Sequence, residues 1–185
     1  MRSPAICLLV YFLLVSNAGA QSPDDGQVQG DAYVNAFFYV LYRRASILQP
    51  NDIASLDLSK KSPYNNEFLL FPAKQGDQPY GVILLAEKLD VPTPHSPAGI
   101  RDATDMMDWI MRFRPEQHVT ILSKKHFTSA NGLVFDELDY TVNGGYTSAL
   151  LTPVDGFLLT FRCNAQSSAD LAKMTLSVTA LQRNK

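Results

Sequence analysis

The stretch GFLLTFRCNAQSSADL, Gly156 to Leu171, carries the cysteine that lies outside the N-terminal leader and runs directly into a helix start. A cysteine thiolate is among the best nucleophiles a protein offers at neutral pH, so the chemistry of Cys163 turns on where it points. Strand alternation puts Phe157, Leu159, Phe161 and Cys163 on one face, and Leu158, Thr160 and Arg162 on the other. In line with two phenylalanines and a leucine, Cys163 is expected to be a small core side chain, with a thiol pKa raised by its apolar surroundings.

The remaining reactive side chains form no recognised constellation. His118 and His126, eight residues apart on one extended strand, would stand roughly 27 Å from one another. Zinc to nitrogen bonds are only about 2 Å, so the two cannot share an ion in that arrangement; His95 lies on a separate, Pro-rich stretch. Asp136, Glu137 and Asp139 in FDELDY are the densest acidic cluster, but the run lacks the Gly and distal Glu of a calcium loop and is expected to be a solvated strand face. No Gly-x-Ser-x-Gly elbow surrounds a serine; Ser96 and Ser123 sit in no nucleophile motif. The NGGY run at Asn143 to Tyr146 joins two strands instead of opening a helix, so it is no phosphate loop. These patterns assign no catalytic, cofactor-binding or metal-binding residue. The alternative is a hydrolase or small-ligand site assembled from separated residues, His118 or His126 with Asp136 or Asp139.

The elements that position these residues can be read from the punctuation of the chain. Aromatic and β-branched residues in YVNAFFYVLY, Tyr33 to Tyr42, predict a strand with more aromatics than one inward face can use. Two apolar runs, EFLLF and YGVILLAEKL, flank the turn-prone PAKQGDQP, and the second is apolar on both faces, as a covered central strand would be. Ala103, Met106, Met107, Ile110 and Phe113 fall at helical spacing, with Ser96 and Pro97 ahead of them and Pro115 as a stop. Four further strands, VTILSKKHFTSA, LVFDELDYTV, YTSALLT and GFLLTFRC, are separated by Asn131-Gly132, Asn143-Gly144-Gly145 and Pro153 to Gly156, all hairpin chemistry. A second helix follows, N-capped by Ser167, with Leu171, Met174, Val178 and Leu181 along one stripe. The expected class is α+β: an antiparallel sheet of about six or more strands, ending in a four-strand meander and packed with two main helices.

The N-terminus MRSPAICLLVYFLLVSNAGA has a basic Arg2, an apolar run from Ile6 to Val15 and a small-x-small site at Ala18-Gly19-Ala20. That pattern predicts a secretory signal peptide, residues 1–20, cleaved after Ala20 and leaving no transmembrane anchor. A ten-residue helix spans about 15 Å, half of a bilayer's hydrocarbon core. Residues 21–30 are read as a disordered lead-in and residues 31–183 as a single α+β domain in the periplasm or outside the cell. Removing the leader leaves one cysteine and hence no intramolecular disulfide, although the exported compartment permits one. Loss of Arg2 shifts the formal net charge from −2 to about −3, which provides no basic footprint for nucleic acid.

The order of these elements, with YVNAFFYVLY near the start, FLL before GVILLAEKL, and DGFLLTFRCNAQSSADLAKMTLSVTAL at the end, resembles the PsbP-like fold superfamily, named for the extrinsic photosystem II protein. The similarity spans most of residues 31 to 182 and lies in pattern, without a diagnostic motif. The resemblance implies a sandwich of the kind found in exported bacterial proteins that are mostly non-catalytic and serve assembly, partner binding or envelope maintenance. It transfers no site residue. Where such proteins often have a Pro-Gly-Trp-like turn after the first strand, this chain has YRRASILQPND, so its N-terminal hairpin is expected to differ. The functional expectation is therefore a secreted or periplasmic non-catalytic domain that binds a protein or envelope component.

Overall fold

The computed structural model describes residues 26–48, 67–71, 80–89, 102, 104, 105, 108, 109, 112 and 118–183. The expected leader, residues 1–20, and His95 with the Pro-rich stretch around it lie outside the described residues. Ten strands are described, β1 Gln27–Gln29, β2 Ala32–Asn35, β3 Val40–Arg43, β4 Glu67–Phe71, β5 Gly81–Lys88, β6 Val119–Thr128, β7 Val134–Val142, β8 Gly145–Val154, β9 Phe157–Ala165 and β10 Gln182–Arg183, together with helix α1, Ser168–Thr179. They form a four-stranded sheet, β1-β2-β3-β10, and a six-stranded sheet, β4-β5-β9-β8-β7-β6. Every pairing is antiparallel.

The C-terminal meander matches its expectation because its turns carry the required chemistry. Asn143 and Gly144 (φ 50° and 83°) join β7 to β8, and Asp155 and Gly156 (φ 49° and 83°) join β8 to β9. Two successive positive φ values suit the right-handed twist of a hairpin, and Asn-Gly and Asp-Gly adopt them at least cost. Pro153 and Val154, expected as part of the second turn, instead belong to β8 and pair with Leu158 and Phe157. The strand YGVILLAEKL is β5, second from one edge of the large sheet. Its Val82, Leu84 and Ala86 are buried, whereas Ile83 and Leu85 on the other face are half-buried.

The N-terminal aromatic run departs from expectation: it is a hairpin and not one strand. The Asn35 side-chain oxygen accepts a hydrogen bond from the Phe38 amide at 3.1 Å, closing an Asx-type turn, and Tyr39 takes φ 55° before the chain returns as β3. The fold thereby places Tyr33, Phe38 and Tyr42 in the core and leaves Phe37 and Tyr39 outside it. Part of the expected disordered lead-in is likewise structured. Residues 27–29 pair with β2, and Gly26 lies against the Tyr33 ring, where there is no room for a Cβ.

The small sheet and α1 share one face of the large sheet. Tyr33, Phe38, Val40 and Tyr42 meet Val82, Leu84, Phe161, Cys163, Leu171, Met174 and Val178 in a common core. The Tyr42 and Phe161 rings lie 5.9 Å apart, and Tyr42 Oη is 3.2 Å from Ser177 Oγ on α1. Each such fully buried aromatic contributes roughly 1.5–3 kcal/mol relative to exposure. A second cluster, Leu138, Tyr140, Ala149, Leu151 and Leu158, occupies the opposite face, with Trp109 packed on it.

Of the two expected helices, α1 is the one with defined bounds among the described residues. In the other, Thr104, Asp105, Asp108, Trp109 and Arg112 are helical; Asp102 Oδ1 accepts from the amides of Thr104 (2.7 Å) and Asp105 (3.0 Å) and so acts as a cap. Met106, Met107, Ser96, Pro97 and Pro115 lie outside the described residues. No described helix is long and apolar enough to cross a membrane.

Helix α1 begins and ends as its sequence requires. Ser167 has extended backbone, and its Oγ accepts from the Asp170 amide at 3.1 Å. At the far end, Asn131 Nδ2 donates to the carbonyls of Ala180 (3.3 Å) and Leu181 (3.0 Å), satisfying groups the helix leaves open. Replacing Ser167 with alanine orphans an amide at the N-terminus. The Ser167→Ala variant is expected to lose about 1 kcal/mol in urea unfolding with an unchanged m-value.

Candidate functional site

Sheet register decides which reactive groups meet. Cys163 pairs with Ser148, Ser148 with Asp139, and Asp139 with Ser123, so these four side chains step across β9, β8, β7 and β6 on one face. One row along, Phe161, Leu150, Glu137 and Lys125 do the same. The result is a polar cluster towards the β6 edge of a face whose centre is apolar.

The cluster is internally paired. Lys125 Nζ lies 3.2 Å from Glu137 Oε2 and 2.9 Å from Asp139 Oδ2. Ser123 Oγ donates to Asp139 Oδ2 at 2.6 Å, and Ser148 Oγ donates to Glu137 Oε1 at 3.3 Å. The expected solvated face is thereby corrected: Glu137 is buried and Asp139 half-buried. Burial followed by the charge of Asp139 raises the Glu137 pKa, against the opposing pull of Lys125. Burial also disfavours the Asp139 carboxylate, but hydrogen bonds led by Ser123 and Lys125 outweigh it and hold the pKa below the usual carboxylate range. For Lys125 itself burial disfavours the ammonium, and the Asp139 hydrogen bond with the charges of Glu137 and Asp139 overcomes that, so its pKa lies above the ordinary value.

Cys163 is fully buried and unpaired. Desolvation pushes its thiol far up, and the charges of Glu137 and then Asp139 push it further. Activated thiols need the reverse, a neighbouring cation or a helix N-terminus. Its expected role as a packed core residue holds in the structure.

The histidines do not assemble with the cluster. His126 Nδ1 lies 2.8 Å from Asp136 Oδ1 on the opposite face of β6 and β7, with the imidazole largely exposed. His118 precedes β6, where its carbonyl accepts from the Asn143 amide at 3.3 Å. Of the residues weighed for a hydrolase site, His126 thus meets Asp136 but neither His118 nor Asp139. Ser123 donates directly to a carboxylate with no imidazole between them, so it lacks the base that a nucleophilic serine requires. Among the described residues no group of three or more His, Cys, Asp or Glu is placed to hold a metal ion.

Among the described residues the exposed aromatic is Tyr39, at the tip of the β2–β3 hairpin. It is 43% exposed, its φ is positive, and it stands beside the edge-to-face trio Phe37, Phe38 and Phe157, whose centroids lie 4.8 to 5.6 Å apart. The sequence marked this aromatic excess without locating it.

Two measurements probe the cluster. In native protein Cys163 should label with a thiol reagent only at the rate at which the chain opens, and labelling should become immediate in denaturant. Lys125→Met should cost about 1–2 kcal/mol at neutral pH, below the usual loss for breaking a buried pair because the ammonium is half exposed. Since the folded pKa of Lys125 is raised, its stabilisation is complete below the unfolded value of 10.5 and is lost as pH rises through the folded value. The stability difference between wild type and Lys125→Met, from urea titrations across pH, should therefore shrink above pH 10.5.

No family model matches the chain, and no curated protein does. The solution structure of cyanobacterial PsbP (CyanoP) from Synechocystis sp. PCC 6803 is similar to it, with a TM-score of 0.51 at 15% identity, covering 92% of this chain and 99% of that one. The chain therefore has a PsbP-like α+β fold, as its element order implied.

Proposed function

We propose that this chain is an exported, non-catalytic domain that binds a protein partner in the periplasm or outside the cell through the tip of its β2–β3 hairpin. The leader pattern of residues 1–20 supports export. The non-catalytic reading is supported by the way its reactive groups are engaged with one another. Cys163 is sealed beside carboxylates that suppress its thiolate, and Glu137 and Asp139 are held by Lys125 and the two serines.

The observation that carries the binding reading is Tyr39. A left-handed backbone costs a residue with a Cβ about 1–2 kcal/mol, and the position at the end of this turn is one that glycine fills without strain. Tyrosine accepts that strain while leaving a large ring at 43% exposure. Strain kept at an exposed aromatic fits a residue retained for contact, because tyrosine provides rigid, amphipathic contact area.

The test separates contact from folding. Tyr39→Gly should unfold at the same temperature as wild type or slightly higher, because the strain is relieved. Immobilised wild-type protein should retain a defined protein from the native envelope or culture fluid, and Tyr39→Gly should retain at least tenfold less of it. Equal retention by both proteins, or none above background by either, refutes the reading.

A further inference from the structure

The face of β9 opposite Cys163 carries polar groups of a different kind. Thr160, Arg162 and Asn164 alternate along it; Thr160 and Asn164 are more than nine-tenths buried, and Arg162 is half-buried. Thr160 Oγ1, Arg162 Nε and Asn164 Nδ2 are each enclosed and have no hydrogen-bond partner. The oxygen of Asn164 is already used, accepting from Thr147 Oγ1 at 3.3 Å, so its amide NH2 is the group left over.

No carboxylate among the described residues pairs with Arg162. On this face Asp136 is engaged by His126, and Glu87 stands four residues along β5 from the Arg162 row, roughly 13 Å away. A guanidinium is always charged and is seldom enclosed without an anion. Arg162 lies between Ile83 and Ala149, and Asn164 between Gly81 and Thr147, so β5 offers no side chain beside Asn164 and β8 only a methyl beside Arg162, while Leu138, Tyr140 and Leu151 pack further across the same face.

We propose that Arg162 and Asn164 bind the oxyanion group of a small molecule, a carboxylate or a phosphate, on this face of the large sheet. Residues two apart on a strand are rooted about 7 Å from each other, a span that one oxyanion bridges with a hydrogen bond of about 2.9 Å to each donor. Both free groups are N–H donors, which selects an acceptor-only partner, and the fixed positive charge selects an anion. Arg162 as a whole is half-buried, and its Nε is enclosed. Thr160, one position further along, supplies a hydroxyl for a second oxygen or for a substituent of the ligand. The inference does not depend on the hairpin reading, which concerns the other end of the fold's chemistry and a different class of partner.

Thermal unfolding of the full chain, at constant ionic strength set with chloride, is the experiment, with inorganic phosphate in one arm and acetate in the other. At about one hundred times its Kd, the bound anion should raise the midpoint by about 5–10 °C. The arm with the lower half-saturating concentration identifies phosphate or carboxylate as the preferred group. Arg162→Met and Asn164→Leu should each weaken that dependence at least tenfold. The Arg162 Nε–H resonance in a 15N–1H spectrum of wild-type protein should move on titration, a readout that does not require either variant to fold. Should neither anion shift the midpoint beyond chloride, or should the Nε–H resonance stay fixed, the donors are satisfied by ordered water alone and the site does not exist.

Discussion

The constraint on which the molecule depends is the register of the β6–β9 meander. Two hairpins, each closed by two residues at positive φ, fix how β7, β8 and β9 align. Side chains alternate with a period of two, so a slip by one residue would carry Phe161, Leu159 and Cys163 to the opposite face and bring Thr160, Arg162 and Asn164 into the core beneath α1. The stripe Leu171, Met174 and Val178 on the helix meets its apolar partners in that core. Turn chemistry and core burial thus favour the same alignment, and that agreement across levels gives the fold its definition.

Register also explains why the cluster near β6 is quiet. The row from Val82 through Cys163, Ser148 and Asp139 to Ser123 runs from the apolar middle of the sheet to its edge. Polarity grows along it as exposure returns. Cys163 therefore sits where desolvation is complete, and its nearest charged neighbours are acidic. Lys125, a cation of the same face, sits towards the edge and is bound by the carboxylates that lie between. A pair of carboxyl groups with pKa values driven apart often signals acid–base catalysis. Here both are already engaged by the same ammonium, so the split reflects unequal burial and hydrogen bonding.

Much of this was legible in the residues themselves. Asn143-Gly144 and Asp155-Gly156 announce hairpins, Ser167 announces a helix start, and alternation alone turns Cys163 inward. What escaped reading depended on contacts between distant parts of the chain or on a turn made by a side chain. The hairpin at Asn35 lies inside an aromatic run with no Gly or Pro, and a single amide oxygen accepting from Phe38 overrides strand propensity. Gln27 to Gln29 look disordered by composition and become ordered only because β2 offers an edge. Glu137 reads as a solvated strand residue, and its burial follows from Lys125 and Ser148, both brought to it by pairing. For Tyr39 the signal was present as an excess of aromatics; its placement needed the turn.

The two faces of β9 differ in which buried polar atoms they leave unmatched. On the Cys163 face most groups of the cluster are matched, Ser123 and Lys125 to Asp139, Lys125 and Ser148 to Glu137, and what is left over is an acceptor, Asp139 Oδ1, and the Thr152 hydroxyl. On the other face, Arg162 Nε and Asn164 Nδ2 are enclosed without partners on a strand whose register is already fixed by its apolar residues. Valine or leucine at either position would avoid the desolvation penalty of an unpaired donor, about 1–3 kcal/mol each. A cluster in which each carboxylate already has a cation and a hydroxyl is explained by folding alone. Unmatched donors on the most constrained strand of the sheet weaken the isolated fold, and departures of that kind gather where a position serves something besides stability.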